Sequence, residues 1–355
     1  MAVGLSLLTL VPGVVGGSER YARELAKALA RVGELEYRAF LPTIAPDAAD
    51  GLPSIVVPEY RASQSMPGRI RAMSRASVAP GRLLRRMDLE SLDALHFPLS
   101  VMIPRVERPA AATTVHDLQH DFYPQFFSRA ELAYRRRVYG WTLKRSRIVI
   151  AISEHARETL IERHGLDPER VRTIHHGLDH ERFRLEPCRP REPFLFYPAG
   201  RWRHKNHERL FEAFGRMRRE RPELRLVLAG YEAKEALPEG IESRGRVPDD
   251  ELVELYRSAA CLVFPSLYEG FGLPPLEAMA CGCPVAVARA TSLPEVCGDA
   301  AEYFDPESTE DMAAAIARAL GGSRVEQGLA RAAAFSWERC ARAHDAVYGE
   351  LASLQ

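Results

Sequence analysis

The sequence predicts an α/β protein made of two Rossmann-like, doubly wound domains. Three observations lead there. The chain has 355 residues, more than one hydrophobic core ordinarily serves. Strand-like and helix-like apolar patterns alternate through both halves, which implies mostly parallel sheets covered on both faces. Near the middle, Pro187, Pro190 and Pro193 fall within seven residues, and neither a helix interior nor a central strand tolerates such a run.

The elements justify that reading in order. A strand is expected over residues 3–10, then a glycine-rich turn from Pro12 to Ser18, then a helix whose Tyr21, Ala22, Leu25, Ala26 and Leu29 line one face. An extended run over 110–115 ends in His116 and Asp117. Residues 147–152 form a strand, Ser153 caps a helix over 154–163, and 171–175 form another short strand. The linker is expected at 186–193. Beyond it the alternation restarts, with strands at 194–197, 224–229, 261–264 and 284–287 and helices at 206–221, 249–260 and 274–281. Ser308 and Asp311 cap a helix over 309–320, and the tail is helical over 337–351. The expected domains are therefore 1–187 and 193–335, with a terminal helix at 336–355 packing back on the first.

Composition excludes several classes. A hydrophobic fraction of 46% and a charged fraction of 27% are those of a globular protein, and no stretch approaches the roughly 20 apolar residues that span a bilayer. No basic segment precedes the first apolar run, so no secretory signal is expected. Six scattered cysteines in a chain this long fit a reducing, cytoplasmic setting without disulfides. The Cys281 and Cys283 pair reads as a helix-to-strand turn, because no second ligand cluster accompanies it.

The formal net charge is zero, yet residues 1–190 hold 28 Lys and Arg against 22 Asp and Glu. This split attracts anions to one half without making the chain a nucleic-acid binder. Arg61, Arg69, Arg71, Arg75, Arg82, Arg85 and Arg86 lie between Glu59 and Asp88 with no acidic residue among them. They read either as a face for a membrane surface or anionic acceptor, or as a solvated helix or loop.

Ligands bind open parallel sheets beyond the carboxyl ends of the strands. Gly16 and Gly17 follow the first strand, His116 and Asp117 a middle one, and Glu269 the strand at 261–264. The glycine turn lacks both the dinucleotide fingerprint and the phosphate-loop ending, and a tight turn explains it as well as a phosphate contact does. Arg201, Arg203, Lys205 and His207 crowd the start of a helix, where cations are unfavourable unless an anion lies between them. An exposed basic loop is the alternative. Glu269 and Glu277 are separated by Gly270, Phe271, Gly272, Leu273, two prolines and a leucine. One carboxylate is on a loop and one on a helix, so their spacing does not define a glycosidase pair.

The run from Phe264 to Val285, with Glu269 and Glu277 separated by seven residues inside it, resembles the E-x7-E signature of the retaining glycosyltransferases of family GT4. The likeness extends to Gly16-Gly17, to the Val115-to-His120 segment, to His204-Lys205-Asn206-His207 and to Leu293-Pro294-Glu295-Val296. It implies a GT-B fold, two Rossmann-like domains facing a central cleft. By that resemblance Glu269 holds a donor-sugar hydroxyl and Glu277 the ribose. Backbone amides of the Gly270, Phe271, Gly272 and Leu273 loop meet the sugar and phosphates, and Gly16 and Gly17 close on the pyrophosphate. His116, with Asp117 beside it, touches the donor sugar, and Arg246 and Val247 lie by the base.

The departing diphosphate gains charge in the transition state, so fixed donors there accelerate transfer. No D-x-D metal motif occurs in the sequence. The expectation is therefore a metal-free, retaining hexosyl transfer with no cofactor, in which Arg201 and Lys205 supply the positive potential. The family spacing has one more residue between Arg and Lys, which leaves Arg201 and Arg203 as alternative phosphate ligands. GDP-mannose is the first expected donor and a UDP-hexose the second. The acceptor is expected to be a glycan or lipid-linked carbohydrate, with a small molecule as the alternative and a peripheral membrane contact through residues 61–86. An epimerase or a phosphorylase on the same fold, and a nucleotide-sugar-binding subunit without turnover, are the competing readings.

Overall fold

The computed structural model describes residues 1–14, 16–186 and 190–354. They form two compact units, Met1–Gly177 with Trp337–Gln355, and Leu178–Ser336. The first unit is built on a seven-stranded sheet: β1 Ala2–Ser6, β2 Glu36–Leu41, β3 Ser54–Val56, β4 Ala94–Phe97, β5 Ala111–Val115, β6 Ile148–Ala151 and β7 Val171–Thr173. Their order is β3-β2-β1-β4-β5-β6-β7 and every pairing is parallel. β4, β5 and β6 are buried at every position, as parallel strands covered on both faces must be. The helices are α1 Gly17–Val32, α2 Met66–Val78, α3 Gly81–Met87, α4 Gln119–Phe122, α5 Arg129–Arg145 and α6 Glu154–His164. α1 buries Tyr21, Ala22, Leu25, Ala26 and Leu29 along one stripe. Ser128 and Glu131 close a capping box on α5.

The second unit has six parallel strands: β8 Glu192–Pro198, β9 Arg225–Ala229, β10 Ile241–Ser243, β11 Ala259–Phe264, β12 Val285–Ala288 and β13 Glu302–Phe304, in the order β10-β9-β8-β11-β12-β13. Its helices are α7 His207–Glu220, α8 Asp249–Ser258, α9 Leu273–Ala280, α10 Leu293–Cys297, α11 Thr309–Ala319 and α12 Val325–Ala333. α13, Trp337–Ser353, then returns to the first unit, where Cys340, Ala341, Val347, Tyr348 and Leu351 join the core of α1 and β1. In each sheet the winding direction reverses once, between β1 and β4 and between β8 and β11, which are the switch points where such sheets bind ligands.

Several expectations shift. The strand expected over 3–10 ends at Ser6, because Leu10 N–H bonds back to the Leu7 carbonyl and folds the remaining leucines into a buried turn. The arginine segment forms α2 and α3. The helix expected to reach Ala260 stops at Ser258, since Ala259 pairs with Glu192 in the sheet. The units divide between Gly177 and Leu178 rather than at the proline run. Residues 178–186 belong to the second unit because Arg182 pairs with Asp249 at 2.7 Å and Phe183 packs edge-on against Tyr256. Pro187 and Cys188, and with them part of the expected linker, lie outside the described residues.

Candidate active site

In the second unit the switch point gathers the loops after β8 and β11. The Leu267 N–H donates to the His204 carbonyl at 2.8 Å, and the Tyr197 hydroxyl at the end of β8 donates to the Lys205 carbonyl at 2.8 Å. These bonds bring Lys205 Nζ within 2.6 Å of Glu269 Oε1. Both side chains are mostly buried, at 18% and 14% exposure, where a pair must be well made to offset its desolvation.

Asn206 next to Lys205 has φ 58°, and its amide donates to the carbonyls of Pro265 and Pro306. Thr291 has φ 49°; its hydroxyl accepts from the Glu269 N–H at 3.0 Å and lies 3.1 Å from the Glu269 carbonyl. Ser292 donates to the carbonyls of Glu269 and Phe271. Sequence reasoning did not find Thr291 and Ser292, since two hydroxyl residues in a loop carry no spacing signal.

Gly272 caps α9 with φ 115°, and a Cβ there would stand 2.8 Å from Leu293 Cδ2. Only glycine fits both the dihedral and the space. Gly270, Phe271 and Leu273 therefore hold the chain at the α9 N-terminus, whose amides and dipole favour an anion. Glu277 sits further along α9 at 2% exposure and accepts from the Tyr256 hydroxyl at 2.6 Å. Arg201 and Arg203 are exposed, with Arg201 over the Tyr231 ring at 5.8 Å. His207 is buried and its imidazole is held at about 4, chiefly by burial, so it adds no charge to the basic turn. Exposed Arg246 and half-buried Val247 follow β10. The Cys281 and Cys283 pair lies buried at the turn from α9 into β12.

In the first unit, Gly16 has φ 54° and ψ −127°, a conformation reserved for glycine, and caps α1. Among the described residues, no atom beyond the chain neighbours and the helix's own backbone lies within 4 Å of a Cβ built at Gly16 or Gly17, so this backbone is open to approach. Four residues into α1, the Tyr21 ring meets His116 edge-on at 4.6 Å. His116 Nε2 donates to the Pro98 carbonyl at 2.7 Å, its backbone N–H donates to Ser100 at 3.1 Å, and Ser100 has φ 64°. Since a carbonyl only accepts, Nε2 carries the proton and Nδ1 is an acceptor. Burial holds the imidazole at about 4, so His116 is neutral. Asp117 instead receives the Gln119 N–H at 2.7 Å and faces Arg135 at 3.5 Å, positions that shape the turn into α4.

Behind Tyr21 runs a buried hydrogen-bond chain. His344 Nδ1 donates to the Cys340 carbonyl, which leaves Nε2 to accept from Tyr21 at 2.8 Å. Tyr21 then accepts from Thr114, Thr114 from His96 Nε2, and His96 Nδ1 from Tyr348, at 3.0, 2.8 and 2.8 Å.

Two parallel-sheet Rossmann-like units, each with polar groups at its switch point, give the chain the GT-B fold class. Sucrose-phosphate synthase from Thermosynechococcus elongatus shares the fold, with a TM-score of 0.77 at 20% identity over 100% of both chains. The Anabaena protein HepE, solved in complex with UDP and glucose, has a TM-score of 0.72 at 15% identity over 99% of this chain and 100% of its own. Residues 15–182 match the family described as "Glycosyltransferase Family 4", and 181–334 match "Glycosyl transferases group 1". The O-antigen chain mannosyltransferase B of Escherichia coli is 30% identical over 360 residues, 91% of this chain and 93% of its own length. This chain belongs to the family 4 glycosyltransferases.

Proposed function

We propose that this chain is a retaining, metal-independent hexosyltransferase that moves a mannosyl unit from GDP-mannose to a glycan or lipid-linked acceptor. The observation that carries the reading is the Lys205 and Glu269 pair, 2.6 Å apart beside the α9 N-terminus at the switch point of the second unit. Lys205, with Arg201 or Arg203, meets the donor's diphosphate, and the amides around Gly270 to Leu273 join it there. Charge that grows on the leaving group is met by donors already in place. Glu269 then holds a sugar hydroxyl, Glu277 the ribose, and neutral His116 accepts from a second sugar hydroxyl. Arg246 and Val247 lie by the base, and Gly16 and Gly17 offer open backbone to phosphate. Mannose as the sugar is supported by the mannosyltransferase relative. A UDP-hexose is the second reading, supported by the UDP and glucose of HepE.

Lys205→Ala and Glu269→Ala are each expected to slow transfer at least about a hundredfold, with EDTA without effect and the product anomer retained by NMR. Full activity in either variant, or strict dependence on a divalent metal, would sink the mechanism. A thermal-shift panel of nucleotide sugars selects the donor, because the true one stabilises the fold in proportion to its affinity.

The arginine segment supports a peripheral contact with an anionic acceptor or the inner membrane face, at a cytoplasmic site of action. Arg71, Arg75, Arg82, Arg85 and Arg86 are exposed on α2 and α3 beside exposed Met66, Ile70 and Val78. A cavity of about 740 Å³ opens between Arg61, Arg75, Arg82 and Arg85. Among the described residues no helix is long and apolar enough to cross a membrane. Replacing Arg82, Arg85 and Arg86 by Ala should release the protein from anionic liposomes; unchanged binding would remove this contact.

A further inference from the structure

We infer that Tyr256 is a positioning residue for the nucleotide, its hydroxyl setting the angle at which Glu277 meets a ribose. The inference rests on the proposed role of Glu277 and adds a residue from another helix on which ribose recognition depends. Tyr256 lies near the C-terminal end of α8, fully buried, and donates to Glu277 Oε2 at 2.6 Å. A hydrogen bond to an ionised carboxylate is short and strong where water is excluded. The last torsion of a glutamate is otherwise broad and roughly two-fold, so this bond selects one orientation of the carboxylate.

Neither partner is free to drift. The Tyr256 ring stands edge-on to Phe196 at 5.2 Å and to Phe183 at 5.9 Å. Arg191 donates to the Tyr256 carbonyl at 3.2 Å and the Ala259 carbonyl at 2.8 Å, and its other terminal nitrogen donates to the Cys281 carbonyl at 3.1 Å. Ala259 begins β11 and Cys281 closes α9, so a single guanidinium ties the helix bearing Tyr256 to the helix bearing Glu277. A diol grip works only when the carboxylate is held before the ligand arrives, and this arrangement holds it.

The test compares dissociation constants for GDP and 2′,3′-dideoxy-GDP by calorimetry, with the UDP pair in parallel. The proteins are the unsubstituted chain, Tyr256→Phe, Glu277→Gln and the double variant. Tyr256→Phe should weaken the ribonucleotide by roughly three- to tenfold and leave the dideoxy form unchanged. It should add nothing in the Glu277→Gln background, and the donor KM should rise while kcat holds. The ratio of the two nucleotides cancels any loss of folded protein, so a poorly folding variant still reports. If Glu277→Gln abolishes the ribose preference and Tyr256→Phe keeps it, the positioning role is overturned while Glu277 stands. If Glu277→Gln itself keeps the preference, both roles fall.

Discussion

Non-glycine residues with positive φ are uncommon, and three of the four described in this chain touch the site: Ser100 holds His116, Asn206 follows Lys205, and Thr291 holds Glu269. Each costs on the order of 1 kcal/mol and persists because its side chain is bonded to the loop it shapes. Thr291→Val should therefore reduce kcat about tenfold with little change in melting temperature, since it loosens Glu269 through its backbone alone. Gly272→Ala should do more. It adds a strained dihedral and a contact of 2.8 Å with Leu293, so calorimetry should show the second unit losing roughly 1–3 kcal/mol and donor binding should fail. Lys205, Glu269 and Glu277 were legible as candidates because they are charged residues at fixed offsets. Ser100, Thr291, Ser292 and Tyr256 were not, because each acts through contacts made between residues 16 to 23 apart.

At the level of elements, α13 joins α1, β4 and β5 through the hydrogen-bond chain from Tyr348 to Cys340. All its histidines are neutral: burial lowers His96 well below its ordinary range and His344 to about 4, as it does His116. A histidine whose folded pKa is lowered takes its proton more readily when unfolded. For His344 and His116 the contribution is therefore complete above pH 6.5, is lost as pH falls toward 4, and changes no further below that, while His96 loses its share in the same direction as pH falls. The first unit should lose a few kcal/mol across that window, and melting curves at pH 7, 5.5 and 4.5 check it; replacing His344 by Gln should flatten the fall. The sequence marked the α1 stripe by its apolar spacing and marked the tail as helical. It was silent on the polar chain, since a histidine on an apolar helix face carries no sign of its partner. The sequence left α2 and α3 open between a solvated helix and a loop for the opposite reason: their arginines mask a narrow apolar stripe of Ala72, Ala76, Leu83 and Met87.

For the whole molecule, the restart of the apolar alternation after the proline run made two units legible. The true division was not, because residues 178–186 have no periodic pattern and are assigned only by what they pack against. Removing residues 337–355 should strip Trp337, His344, Tyr348 and Leu351 from the first core. Hydrogen exchange should then show β1, β4 and α1 opening while β8 and β11 keep their protection; equal loss in both units would refute this division. The same crossing of α13 imposes an order on biosynthesis. The first unit leaves the ribosome before the second, yet its core waits for a helix encoded after all of Leu178–Ser336. At ordinary translation rates that delay is roughly ten to thirty seconds, during which the groove meant for α13 is open to chaperones and to neighbouring nascent chains.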